Sequence, residues 1–317
     1  MDDAIREGAG KLSGFGFACP TCREALDAVG PDEQRCPNDG ASYLRTGGIW
    51  RLLSPGRKNY FRQFMQEYET VRRAEGRGSG EAAYYRALPF QDLTELHSNN
   101  WKIRARSYQS LVDGLVKRLE SERKRPLGII DLGAGNCWLS YRLSQRGHRV
   151  AAVDLLDGPM DGLGAWIHYG VPFTPIQAEF GHLPLGDGQL DMAVFNASLH
   201  YSTDYDATLA ETLRVLRPDG CLAIIDSPVY HNPESGAQMV RERESQFMRE
   251  HGFASNAIPS QNYLTHERLN QLAASLRLRW KYIRPFYGFR WALRPWRARL
   301  RGHREPASFM VIIGMRE

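Results

Sequence analysis

At 317 residues the chain can hold one large α/β domain with something small attached. Its apolar fraction of 42% and charged fraction of 24% are those of an ordinary globular protein, and no run approaches the length needed to span a bilayer. The opening MDDAIREGAGKLSG lacks the apolar stretch of a leader, so a cytoplasmic location is the expectation.

Five cysteines, an odd number, point to reduced thiols or metal ligands and away from a disulfide framework. Three of them lie between residues 17 and 54. Cys19-x2-Cys22, followed by x13 and Cys36, has the spacing of a zinc knuckle, in which turn-linked thiolates point at one tetrahedral ion. The fourth position holds Asp39, so the predicted ligand set is Cys19, Cys22, Cys36 and Asp39, with Asn38, a water or no metal as the alternatives. A region this small has few other ways to stabilise itself. Pro55 and Gly56 then mark a boundary.

The stretch to about Pro126 is rich in charged and aromatic residues at helical spacing, interrupted by the flexible GRGSGE at 76–81. Beyond it, short apolar runs alternate with helical segments. LGIIDLG, HRVAAVDLL, FTPIQAE, LDMAVFNAS and CLAIIDS read as five strands, almost continuously apolar as strands covered on both faces should be. DYDATLAETLRVLRPDG reads as a helix with a Pro and Gly stop. WKYIRPF and ASFMVIIGMR are two further strands. This alternation predicts an α/β fold with a doubly wound, mostly parallel sheet and helices on both faces. Between the last two strands the net charge of +5 finds its source: residues 277–304 hold ten Arg or Lys and no acid, which leaves the rest of the chain at −5.

In such a sheet, ligands bind at the carboxyl ends of the strands where the strand order switches. The DLGAGN turn at 131–136 falls there. Gly133 and Gly135 allow a close backbone approach, and Asp154 ends the second strand at the right reach for both hydroxyls of a ribose. A dinucleotide turn needs a third glycine three positions after Gly135, but that position is Trp138. The bulky ring argues against a pyrophosphate. Asp131, ahead of the glycines, would repel phosphate and suit a cationic amino acid group.

DLGAGNCWLS, VDLL at 153–156, the acid at Glu179, LDMAVFNASLHY and VLRPDGCLAIID together resemble, in order and spacing, the class I seven-stranded S-adenosylmethionine-dependent methyltransferases. The resemblance covers residues 127–228 and, more loosely, the last two strands. It implies a seven-stranded Rossmann-like domain over 126–317, and S-adenosylmethionine as cofactor. Gly133 and Gly135 would run beside its methionine part and Asp131 would hold its amino group. Asp154 would bind the ribose, Leu155 would pack on the adenine, and Glu179 and the backbone of Phe180 would meet the adenine edge. Asn196 would face the reacting centre, with His200 and Tyr201 nearby as groups that orient the acceptor or take its proton. Cys137 and Cys221 read as inert packing. Residues 56–125 would be a helical linker and lid over the acceptor, using Tyr84, Tyr85, Trp101, Arg104 and Tyr108.

The cysteine region, residues 1–55, is similar to the zinc-ribbon module found beside some methyltransferases, including the 23S rRNA guanine methyltransferase family. That makes RNA an alternative substrate, with Trp280, Trp291 and Trp296 as stacking platforms. The same basic segment would also suit a peripheral membrane contact and a lipid-like acceptor, or form a plain charged connection between strands. NASLHY is closer to small-molecule methyltransferases, so a small-molecule acceptor is the leading expectation. A non-catalytic scaffold that holds cofactor or RNA is the other rival. Oligomeric state is left open.

Overall fold

The computed structural model describes residues 14–317; the leader reading falls on residues outside that range. Four short antiparallel strands come first, β1 (Asp27–Gly30), β2 (Glu33–Arg35), β3 (Ser42–Thr46) and β4 (Ile49–Arg51). Three helices follow: α1 (Pro55–Ala74), α2 (Ala82–Ala87) and α3 (Ser98–Leu111), the last running through one π turn into α4 (Lys117–Arg123). Pro55 opens α1 at the first helical position, where its missing N–H costs nothing.

The alternating region supplies β5 (Gly128–Leu132), α5 (Trp138–Gln145), β6 (Arg149–Asp154), β7 (Thr174–Gln177), β8 (Leu190–Asn196), α6 (Tyr205–Val215) and β9 (Leu216–Ile225). Asp204 caps α6, its carboxylate accepting from the Ala207 amide at 3.0 Å. The predicted helix over 204–220 is shorter than expected. It stops at Val215, and the LRPDG that was to close it enters β9 as an irregular first stretch beside Leu190.

The short parallel pair β10 (Val229–Tyr230) and β11 (Leu264–Thr265) flanks α7 (Pro233–His251). Then come α8 (His266–Leu276), β12 (Leu278–Ile283), α9 (Phe289–Ala292), α10 (Arg294–Leu300) and β13 (Val311–Arg316).

One sheet runs through the molecule in the order β1-β2-β3-β4-β7-β6-β5-β8-β9-β13-β12. The expected parallel core is present, from β7 to β9, with β13 antiparallel between β9 and β12. The expected count of seven strands falls short of this sheet. β4 pairs parallel with β7, Trp50 opposite Ile176 and Arg51 opposite Gln177, so the amino-terminal strands extend the sheet. A sheet edge left unpaired at β7 would expose a row of backbone groups; β4 covers it.

Side chains alternate across β5. Ile130 and Leu132 face a core that includes Trp50, Leu209 and Leu269, while Ile129 faces the other, built with Leu111, Leu115 and Leu139. Asp131 shares the face of Ile129 and is therefore carried toward α5. At the other end of the strands, the fully buried Asp191 carboxylate accepts from Arg125 at 2.7 and 2.9 Å and from the Gly128 amide at 2.8 Å, with Arg217 at 3.0 Å.

Candidate active site

The order of strands switches between β5 and β8, and a cavity of about 630 Å3 opens there at their carboxyl ends. Its floor is the turn after β5. The Gly133 and Ala134 amides both donate to the Val153 carbonyl, folding the turn back over β6. Gly133 has φ +77°, and a Cβ there would sit 2.3 Å from the Cβ of Ser198. No other residue fits without moving the β8 turn.

Two carboxylates flank this floor. The Asp154 oxygens accept from the Gly135 amide at 2.8 Å and the Leu156 amide at 2.9 Å, and burial pushes its carboxyl up to about 6. Asp131 is fully buried and accepts from the Ser140 hydroxyl at 2.7 Å, while its other oxygen has no partner among the described residues. Burial pushes this carboxyl up to about 7. A buried carboxylate oxygen without a donor among the described residues is a strong acceptor.

Gly133, Gly135, Asp154, Leu155, Glu179, Phe180, Asn196 and Tyr201 all line the cavity. Glu179 is engaged: Arg57 of α1 donates two hydrogen bonds of 2.6 Å to it and His182 lies at 3.2 Å. Asn196 ends β8 with its Oδ1 buried and without a partner among the described residues. His200 sits elsewhere. Its ring is buried beside Ser227 at 3.3 Å, burial pulls its pKa down to about 3, and it is absent from the cavity wall. A buried neutral imidazole with so low a pKa is a poor general base near neutrality, which speaks against the proton-taking half of the role expected for it.

The wall over the cavity differs from the expected set. Trp101 and Arg104 of α3 are in it; Tyr84, Tyr85 and Tyr108 are buried in the core behind. In their place α1 presents Arg57, Phe61, Phe64, Tyr68 and Arg72, one helix face at spacings of 4, 3, 4 and 4. That periodicity was readable in PGRKNYFRQFMQEYETVRRA, but nothing in it said which partner the face would meet. Trp138 fills the start of α5 and packs edge-on to Trp101 and Tyr108.

The backbone is strained where the strands end. Ala197 after β8 and Asp226 after β9 have φ +54° and +55°. Asp226 was not foreseen. Its carboxyl accepts from Ser107 of α3, its second oxygen is buried without a partner among the described residues, and burial raises its pKa. Arg104, on the same helix as Ser107, makes no ion pair among the described residues.

Beside the amino-terminal strands, in two turns, the four predicted metal ligands converge, their donor atoms all within 4.8 Å of one another. The two turns are alike. The Arg23 amide donates to the Cys19 carbonyl at 2.8 Å and the Gly40 amide to the Cys36 carbonyl at 3.0 Å, with φ +65° and +73° at Arg23 and Gly40. Asp39 occupies in the second turn the position of Cys22 in the first.

The family profile described as "Methyltransferase domain" matches residues 130–224, from β5 to the end of β9. Residues 130–224 are therefore similar to a methyltransferase domain. Around this segment the chain is similar to the malonyl-[acyl-carrier protein] O-methyltransferase of Geobacter sulfurreducens, 33% identical over 119 residues, covering 36% of this chain and 43% of the relative. The enzyme of the same name from Coxiella burnetii is 32% identical over 114 residues, covering 36% and 38%. The chain thus matches less than half the length of these curated relatives. Among solved structures, the 1,6-didemethyltoxoflavin-N1-methyltransferase of Burkholderia thailandensis overlays with a TM-score of 0.46 at 17% identity, over 92% of this chain and 98% of that one, too low a score to carry an argument. The matched segment of the methyltransferase domain contains Asp131, Gly133, Gly135, Asp154, Glu179 and Asn196.

Proposed function

We propose that the chain is an S-adenosylmethionine-dependent methyltransferase acting on a small acceptor. The observation that carries this reading is Asp154 in the cavity wall beside the Gly133 turn, with the buried Asp131 carboxylate immediately before that turn leaving one oxygen without a partner among the described residues. An ammonium group would satisfy Asp131 and ribose hydroxyls Asp154, whereas the phosphates of a dinucleotide would be repelled by both. When bound, the cofactor supplies a methyl group already activated on a sulfonium, so the protein's task is alignment and exclusion of water. Gly133 and Gly135 provide the close approach, Leu155 and Phe180 apolar walls, and Glu179, oriented by Arg57, an acceptor at the far end.

Residues 55–111 act as the lid, through the α1 face and through Trp101 and Arg104. Tyr68 and Tyr201, with rings 5.9 Å apart, and Phe64 form an aromatic clamp at the acceptor end, and Asn196 orients the acceptor. The Arg104 guanidinium lines the cavity without a close ion pair among the described residues, and burial pulls its pKa down against the opposing charge of Asp226. A desolvated cation of this kind favours an acceptor bearing an anionic oxygen next to an apolar body. The Cys19, Cys22, Cys36 and Asp39 cluster holds zinc as a cross-link. The Cys22 and Cys36 sulfurs are 3.5 Å apart and Cys19 lies 3.4 Å from Asp39, close to the edges of about 3.5–3.8 Å of a tetrahedron with usual Zn–S and Zn–O bonds.

Calorimetry with S-adenosylmethionine, S-adenosylhomocysteine and NAD tests the cofactor; binding of NAD alone, or an Asp154→Ala variant with unchanged affinity, would refute it. Offering a labelled methyl group to small-molecule, lipid and RNA fractions tests the acceptor. Label in RNA alone would favour the rival reading, for which Trp296 is the exposed ring of the expected set, while Trp280 is half-buried with its indole N–H on the Leu269 carbonyl and Trp291 packs on Tyr287 and Phe309.

A further inference from the structure

Residues 286–300 carry a pattern that the cavity does not use. Phe286, Phe289, Leu293, Trp296 and Leu300 recur every three or four residues, the repeat of one helix face. Such a stripe is normally core. Here α9, α10 and the residues just before and between them turn it outward, leaving these side chains 55, 79, 54, 73 and 84% exposed in turn. Arg290, Arg294, Arg297 and Arg301 each follow the apolar residue by one position, and no acid lies between Glu267 and Glu305. The segment is anchored from behind. Trp291 packs on Tyr287 and Phe309, Arg294 stacks over Trp291, and the Tyr287 hydroxyl lies 2.8 Å from Ser107 Oγ of α3. The stripe is therefore held out from the body on a fixed base.

From this we infer that the α9–α10 face docks on an anionic lipid surface, its apolar stripe entering the headgroup boundary and its arginines meeting lipid phosphates. The composition of the stripe favours lipid over RNA, because Leu293 and Leu300 have no π face on which a base could stack. Charge disfavours a second copy of this chain. A two-fold interface would set one arginine row against its like.

Flotation of the full chain with phosphatidylcholine vesicles, with and without one part in four of phosphatidylglycerol, is the test. The expected result is partition onto the anionic vesicles only, reversed by salt, and reduced about tenfold in each of Phe289→Ser, Trp296→Ser and Leu300→Ser. These side chains are exposed, so cofactor affinity and the far-ultraviolet spectrum should stay unchanged, which separates this inference from the assignment of the cavity. Three results would overturn it: no partition onto anionic vesicles, partition that ignores all three substitutions, or salt-sensitive binding to poly-uridylate in its place. A dimer in sedimentation that Trp296→Ser dissolves would reassign the face to self-association and overturn it as well.

Discussion

Asp131 is held in a site that resists its ionisation. Burial has moved its carboxyl from the ordinary carboxylate range up to about 7. A raised folded-state value means that this group favours the fold when protonated. That contribution is complete below the ordinary carboxylate pKa and is lost as the pH rises through about 7. An ammonium ligand needs the opposite, ionised form, so cofactor affinity should fall as the pH drops below about 7, with Asp154 adding to the loss below about 6. Titration calorimetry across this range checks it. Asp131→Asn should weaken binding about ten- to hundredfold and remove the upper part of the pH dependence; an affinity independent of pH in the native protein would refute the pairing. Arg104→Leu should leave cofactor affinity unchanged while raising the KM of an anionic acceptor, measured once that acceptor is in hand. From sequence Asp131, Asp154 and the glycines could be singled out because they lie within one turn or one strand end of each other. Asp226 could not, since its pairing with Ser107 spans 119 residues.

Helix α1 shows what periodicity leaves unsaid. The face bearing Arg57, Phe61, Phe64, Tyr68 and Arg72 is visible as a pattern, yet its partner is chosen only when Arg57 meets Glu179 and Arg72 meets Asp161. Arg57→Ala should leave Glu179 buried with His182 as its remaining neighbour, and lower both thermal stability and cofactor affinity, the latter by about tenfold. Scanning calorimetry and titration check the two effects separately; a change in neither would mean that α1 does not organise the site. The paired turns of the cysteine region make a second element-scale prediction. Metal analysis should find one zinc per chain, abolished in Cys36→Ser and weakened in Asp39→Ala, and a chelator should lower the unfolding temperature of the native protein. Unchanged unfolding with the chelator would argue for packing alone.

At the scale of the molecule, the amino-terminal strands belong to the central sheet. Trp50, buried against Phe17 and paired opposite Ile176, makes that join. Trp50→Ala should cost about 3–5 kcal/mol by denaturant unfolding. It should also weaken cofactor binding, because β4 leads directly into α1 and the Arg57–Glu179 pair. The opposite ends of β5 and β8 are tied by Asp191 and its arginines, and this cluster holds the carboxyl below its ordinary value despite its burial. A lowered folded-state value gives stability that is present above the ordinary carboxylate pKa and lost as the pH falls through the lower one, so Asp191→Asn should remove part of the acid sensitivity of unfolding.

The parallel core, its glycine turn and the carboxylates beside it were legible in the residues alone, because a buried strand needs a continuous apolar run and a tight turn needs glycine, both local demands. The strand count, the helix face that walls the cavity, the place of His200 outside that wall and the outward aim of the 286–300 stripe were not. Each depends on which surfaces meet after the chain has closed on itself. A helix that reads as amphipathic states that it has an apolar side, and burial against another element, or its absence, is a property of the assembled sheet and helices that no single segment encodes.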